Sequence, residues 1–181
     1  MAQTIQTIQQ FYTQAQRKDF ARTNLFRVLS INFGENSPTV LNETELVYAR
    51  TASVPGKSIV NIETPYMGLK FNVPGVVQYE GSAEYKINFY GDEAQALRQK
   101  FLQVSENTFS DASSTGNYFI PTRNATIDLL QLNKQLDPVS KIQLVGVSIR
   151  NVGTLEYDIT STGEVQNFDV TIAYHFWRKT G

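Results

Sequence analysis

Tyr79-Glu80-Gly81-Ser82-Ala83-Glu84-Tyr85-Lys86-Ile87-Asn88-Phe89 alternates small or apolar residues with polar ones over eleven positions. Period two sends Tyr79, Gly81, Ala83, Tyr85, Ile87 and Phe89 to one face and Glu80, Ser82, Glu84, Lys86 and Asn88 to the other. Such a strand has one dry face and one wet face, the signature of an antiparallel sheet rather than a doubly covered parallel one. Gly91-Asp92 ends the alternation, and the period lengthens at once. Ala94, Leu97, Phe101 and Val104 recur at helical spacing, and Asp92 with Gln95 three residues later reads as an acidic capping box.

Outward from this centre the chain is mostly strand. Leu25 to Phe33 is apolar on both faces, and Leu46 to Val54 and Gly68 to Val73 read as further strands, with Pro55-Gly56 and Thr64-Pro65 as breakers. Residues 105 to 122, rich in Ser, Asn, Thr and Gly, read as a long exposed loop. Ala125 to Leu132 and Lys141 to Arg150 form the arms of a hairpin joined around Asp137-Pro138. The alternation of the second arm slips near Gly146, which predicts a bulge there. Thr154 to Thr160 reads as a short strand, and Val165 to Trp177 as a last strand with Phe168, Val170, Ile172, Tyr174 and Phe176 on one face. Ahead of all this, Ile5, Ile8, Tyr12 and Ala15 make one apolar stripe on a helix that has no charge before Arg17 and needs a partner surface. The expected fold is mainly β: an antiparallel β-sandwich or partly closed barrel with one packed α-helix and an N-terminal helical arm. Residues 1–18 would be the arm and 19–181 a single β domain.

Composition excludes several functions. Charged residues are 18% of the 181 positions, 17 acids against 16 bases, while Asn, Gln, Ser and Thr supply nearly a third. A weakly charged, amide-rich surface does little to keep copies apart. The chain is not basic, so sequence-independent grip on nucleic acid is not expected. It has no cysteine, hence no disulfide, thiolate metal site or cysteine nucleophile. No apolar run of about 20 residues and no signal peptide is found, so a soluble protein made in the cytoplasm, without a membrane partner, is expected. The single histidine, His175, lies six residues from Asp169 on one strand, about 20 Å away at ~3.4 Å per residue, too far for a triad. The paired carboxylates Glu43/Glu45, Glu80/Glu84, Asp92/Glu93 and Glu156/Asp158 read as strand faces or helix capping. No catalytic residue, cofactor or metal is expected.

Several segments, in order along the chain, carry a resemblance. They are Asp19-Phe20-Ala21-Arg22-Thr23-Asn24-Leu25-Phe26-Arg27-Val28; Pro65-Tyr66-Met67-Gly68 with Val73-Pro74-Gly75; and the helix Asp92-Glu93-Ala94 to Arg98-Gln99-Lys100-Phe101. Asn151-Val152-Gly153 and Glu164-Val165-Gln166-Asn167-Phe168-Asp169-Val170-Thr171 complete the set. Together they resemble the tail tube proteins of T4-like contractile-tailed bacteriophages from about residue 18 to 177. Thr23 stands where that family often has proline, and the only tryptophan is Trp177.

The resemblance implies a structural subunit, not an enzyme. Hexameric rings would stack into a hollow tube, a virion component assembled with tail sheath, baseplate and terminator proteins, through which DNA passes without specific binding. Paired hairpins, here about 44 to 74 and 123 to 150, would close into a continuous inner barrel that removes their open edges. A channel for DNA needs a wall that is not basic. The polar set expected to line it is Glu43, Glu45 and Glu63 on the first hairpin and Asp128, Gln131 and Asn133 on the second. Lys70, Lys141 and Arg150 run against that trend and are expected at ring junctions or paired with acids. Ile5, Ile8 and Tyr12 are expected at a contact between subunits. Two alternatives stay open: a baseplate tube initiator or the tube of a phage-derived injection machine, and a small-ligand-binding β-barrel.

Overall fold

The computed structural model describes residues 8–36, 41–116, 121 and 123–181. Two antiparallel sheets face each other, as the alternation requires. The first has the order β13-β10-β9-β1-β2, from strands β1 (Phe26–Asn32), β2 (Leu41–Asn42), β9 (Thr126–Leu132), β10 (Pro138–Val145) and β13 (Phe176–Lys179). The second has the order β11-β12-β6-β3, from β3 (Ala49–Thr51), β6 (Tyr85–Tyr90), β11 (Ser148–Val152) and β12 (Asn167–Ala173). Helix α2 (Ala96–Thr108) buries Leu97, Phe101 and Val104. Phe101 sits at the centre, its ring 5.3 Å from Phe89, 6.3 Å from Phe33 and 6.4 Å from Phe168. Aromatic and branched side chains fill the space between the sheets, so the fold is a sandwich with no fully closed barrel. That packing leaves the small-ligand-barrel alternative without an apolar interior to use.

The two sheets share chain at a crease. β10 belongs to the first sheet and β11 to the second, with Gly146 at φ +72° between them. β12 and β13 switch sheets in the opposite sense through Tyr174-His175, and β11 pairs with β12 while β10 pairs with β13. One long hairpin is therefore folded across itself, the corner that lets strands serve two crossed sheets. The expected bulge at Gly146 is this corner. The expected single strand Val165 to Trp177 is two strands: Phe168, Val170, Ile172 and Tyr174 stay buried, Phe176 turns out to solvent, and Trp177 packs against the core.

Other local expectations are corrected for equally local reasons. Tyr79 ends a strand rather than starting one; Glu80 to Glu84 is a turn built on Gly81 at φ +67°, and β6 begins at Tyr85. Leu46 to Val54 is a 3-10 turn (Leu46–Tyr48) followed by the three residues of β3. Thr64-Pro65 lies inside a strand, as does Pro74. In a two-stranded ribbon every strand is an edge, so a missing N–H is tolerated. Helix α2 continues to Thr108, and a small hairpin, β7 (Phe109–Ser110) with β8 (Thr115–Gly116), occupies the expected loop. Residues 154 to 160 form no strand. Asp92 does take helix donors, its carboxylate accepting from Ala96 N at 2.9 Å and Leu97 N at 3.4 Å. The box does not close, because Gln95 sits at φ +52° and donates instead to the Tyr157 hydroxyl. Ala94 is exposed, outside the buried stripe.

Candidate self-assembly surfaces

The longest exposed strands form a two-stranded ribbon, β4 (Lys57–Tyr66) and β5 (Leu69–Tyr79), turned by Met67-Gly68. Only Tyr79 at its root is even half-buried. The register pairs Asn61 with Pro74, Glu63 with Asn72 and Pro65 with Lys70, and between them Ile62 with Val73, Thr64 with Phe71 and Tyr66 with Leu69. Directly paired residues share a face. Beyond the bulge at Gly75 one face is therefore polar and proline-bearing, and the other is a row of Ile62, Phe71, Val73, Tyr66 and Leu69. A Cβ at Gly75 would sit 2.5 Å from Ile62 Cγ1, which fixes the bulge on the apolar side. An isolated ribbon of this kind is marginal in water, and an exposed apolar row marks a contact surface.

Its root is clamped by aromatic residues from the sandwich. Tyr85 donates its hydroxyl to the Ser53 carbonyl at 2.6 Å, and Tyr174 donates to the Glu80 carbonyl at 2.7 Å. Trp177 packs edge-on to Tyr79 at 6.4 Å, and the Lys57 ammonium lies 5.8 Å from the Tyr79 ring centre. Burial pushes both phenols above the ordinary tyrosine range; at Tyr174 the Glu80 charge adds to it. Sequence reasoning missed this clamp, whose residues read only as core aromatics.

On the outer face of the first sheet a row of polar residues runs from edge to edge. The register places Asn42 opposite Ser30, Ser30 opposite Asp128, Asp128 opposite Gln143 and Gln143 opposite Arg178. Gln143 donates to Asp128 at 2.9 Å, Arg178 donates to Gln143 at 2.6 Å, and Lys141 lies 3.1 Å from the Asp128 carboxylate.

The acids expected along a channel are thus met by bases. Glu63 pairs with Lys70 at 2.9 Å, Asp128 with Lys141, Glu43 with Arg27 and Glu45 with Lys100. Arg150 lies 3.7 Å from Glu84. Glu63 is on the ribbon and Asp128 on β9. Glu43 and Glu45 are not on the long hairpin, which spans 57 to 79 rather than 44 to 74; they lie in the turn after β2. Gln131 is exposed on β9, and Asn133 braces the following turn, its side-chain oxygen accepting from Gln135 N and Asp137 N at 2.8 Å.

The arm is helix α1 (Ile8–Lys18), which buries no residue. Ile8 and Tyr12 are open, and Ile5 lies outside the described residues. Phe11 packs on Phe20 at 6.0 Å, and Asp19 reaches Lys134 at 3.5 Å, tying the arm's end to the β9–β10 turn. The Phe20 N–H first, and then Lys134, hold the Asp19 carboxyl below the usual carboxylate range. On the second sheet, residues 153–166 form an irregular loop over a groove of about 940 Å³ lined by Thr154, Glu156, Asp158, Ile159 and Glu164 among others. Hydrogen bonds from the Thr160 hydroxyl and N–H keep Asp158 ionised below the ordinary range. His175 is exposed, with no acid bonded to its ring, and no group of His, Asp and Glu among the described residues is arranged to hold a metal.

No family model matches the chain. Its sequence is 30% identical over 164 residues to the tail tube protein gp19 of Enterobacteria phage T4, covering 88% of this chain and 91% of that protein. Its fold is similar to that of a chain in the baseplate of the anti-feeding prophage, with a TM-score of 0.64 at 15% identity, over 91% of this chain and 97% of that one. A chain of the sheath–tube complex of an extracellular contractile injection system matches with a TM-score of 0.60 at 12% identity, over 93% and 96%. An identity of this size, over nearly the whole of both chains, shows that the chain belongs to the tail tube protein family of contractile-tailed bacteriophages.

Proposed function

We propose that the chain is the structural, non-catalytic subunit of a phage tail tube, six copies closing into a ring and rings stacking into a hollow tube through which the genome passes. The observation that carries this reading is the ribbon, whose strands are exposed along their length and whose tip half, beyond Gly75, has one apolar and one polar face. In a ring its open edges find partners in neighbouring copies. The apolar row is then covered, at about 1.5–3 kcal/mol for each side chain fully removed from water. The polar face, with Glu63 and Lys70, lines the bore beside the outer face of the first sheet, which carries Asp128, Gln131 and Asn133. Glu43 and Glu45 complete the lining where that sheet meets the next copy. Since each of the four acids has its own base, the wall is polar but close to neutral and gives phosphates neither a grip nor a barrier. Ile5, Ile8 and Tyr12 of the arm pack on another subunit. Head-to-tail stacking is a heterologous contact that does not close, so it makes a filament, capped by baseplate and terminator proteins and sheathed outside. The subunit is made in the host cytoplasm and ends in the virion tail.

Electron micrographs of the purified chain at rising concentration test this: rings and tubes of uniform bore are expected. A monomer throughout, folded by circular dichroism, overturns it. A second reading, a tube or baseplate subunit of an injection machine, is favoured by the fold likeness to the anti-feeding prophage chain. Native particles separate the two, since only phage particles carry DNA.

A further inference from the structure

Two unpartnered surfaces of this chain are complementary to each other. Residues 1–18 contain no acid and end in Arg17 and Lys18. The helix they lead into leaves Ile8 77% and Tyr12 62% exposed. Residues 151–177 contain no lysine or arginine, and carry Glu156, Asp158, Glu164 and Asp169. Within that stretch the loop over the second sheet holds Ile159 wholly in solvent, with Tyr157 and Val165 also exposed.

The loop is held in shape, not loose. Arg98 donates to the Gly153 carbonyl at 3.2 Å, Gly153 N donates to Asp169 O at 2.7 Å, and Gly91 N donates to Gln166 O at 2.8 Å. A fixed loop that presents an isoleucine and a tyrosine among carboxylates suits a basic amphipathic helix. The arm is one, and its own subunit buries none of it.

We propose that the arm of one copy docks on the 153–166 loop of a second copy, with Ile8 and Tyr12 against Ile159 and Tyr157, and with Lys18, at the flank of that stripe, facing Glu156, Asp158 and Glu164 while Arg17 adds positive charge behind it. The proposal rests on the self-assembly reading and names the acceptor for the arm. The contact is heterologous, joining two different patches, so it propagates from copy to copy. Ion pairs at such a rim are exposed and screened by salt, so they set partner choice while the apolar contact supplies the affinity.

The cysteine-free chain makes the test clean. An Ile8→Cys/Ile159→Cys variant, assembled and mildly oxidised, is expected to give a ladder of disulfide-linked multimers on a denaturing gel. The pair Ile8→Cys/Met67→Cys, which uses the ribbon tip instead, should give none beyond dimers. Bridging requires Cα atoms within about 7 Å. Arg17→Glu/Lys18→Glu added to the first pair should slow cross-linking about five- to tenfold, and Glu156→Lys/Asp158→Lys on top should restore it. Tubes in the micrographs without a ladder overturn the docking site and leave the tube reading standing. A ladder unaffected by charge reversal overturns the assigned role of the charges. Absence of any assembly by the unmodified chain overturns both the tube reading and this one.

Discussion

A Cβ on Gly146 would lie 2.3 Å from Nδ1 of His175, so the two passes of the creased hairpin cross where only a glycine fits. Gly146 N and Val147 N both donate to the Ala125 carbonyl, and His175 N donates to Val145 O at 2.9 Å, which holds the corner from both sides. Gly146→Ala therefore carries two costs, a left-handed backbone of about 1–2 kcal/mol and the collision with the imidazole. Gly163, at φ +84° with open space around it, carries the first cost alone. Thermal melts should show Gly146→Ala well below Gly163→Ala, and His175→Ala should recover part of the gap. Equal melting temperatures for the two glycine variants would remove the steric argument.

Phe101 touches the rings of three phenylalanines and is fully buried. Phe101→Ala should lose about 3–5 kcal/mol in denaturant titration. A loss under 1 kcal/mol would mean that α2 does not close the core.

Tyr85 is buried and its phenol pKa is raised, so the folded state keeps the proton more tightly than the unfolded one. Its contribution is complete below the ordinary tyrosine value of 10.0 and falls away as pH rises beyond it. Stability measured from pH 8 to 12 should decline on the alkaline side, and Tyr85→Phe should decline less steeply. An identical alkaline limb in the variant would assign the decline to other groups.

Ile62 and Phe71 are half-exposed on the ribbon, away from the core. Ile62→Thr/Phe71→Gln should leave the melting of the dispersed subunit within about 0.5 kcal/mol of the parent, while raising the concentration needed for assembly in a sedimentation series. Unchanged assembly would show that the apolar row is not a contact.

Asp128 has a side chain only 14% exposed, and it serves Lys141, Gln143 and Ser30 together. Asp128→Ala leaves those donors without their acceptor and should cost about 1–3 kcal/mol. Glu63→Ala, on the fully exposed ribbon, should cost almost nothing in the free subunit. Denaturant titrations of the two variants side by side check the contrast.

Helix α2 and the β6 register are readable in the sequence because burial is one-sided there: Leu97, Phe101 and Val104 at helical spacing, and Tyr85, Ile87 and Phe89 at period two. Of the crease, one pass is readable in the slip of alternation at Gly146 and the other is not. Alternation continues through Tyr174, His175 and Phe176 while the chain changes sheets, so the pattern stays regular as its meaning flips. The ribbon's bounds are not readable either, since Pro65 argues for a break and no described residue buries Ile62 or Phe71. Pairing of Lys70 and Lys141 with acids is one of the two expectations for them, and the register supplies which acid each one meets, Glu63 and Asp128, a detail that one strand at a time does not reveal.

The aromatic clamp at the ribbon's root has a consequence for angular precision. Each strand of the ribbon is ten or eleven residues long, a lever of about 34 Å at ~3.4 Å per residue. A tilt of about 6° at the root would swing the tip sideways by about 3.5 Å, most of the ~4.8 Å that separates hydrogen-bonded strands. A swing of that size takes backbone donors and acceptors on a pairing strand out of hydrogen-bond reach. The hydroxyls of Tyr85 and Tyr174, with the indole of Trp177, are therefore the bearings of that lever: contacts at its root set the direction in which a distant tip points.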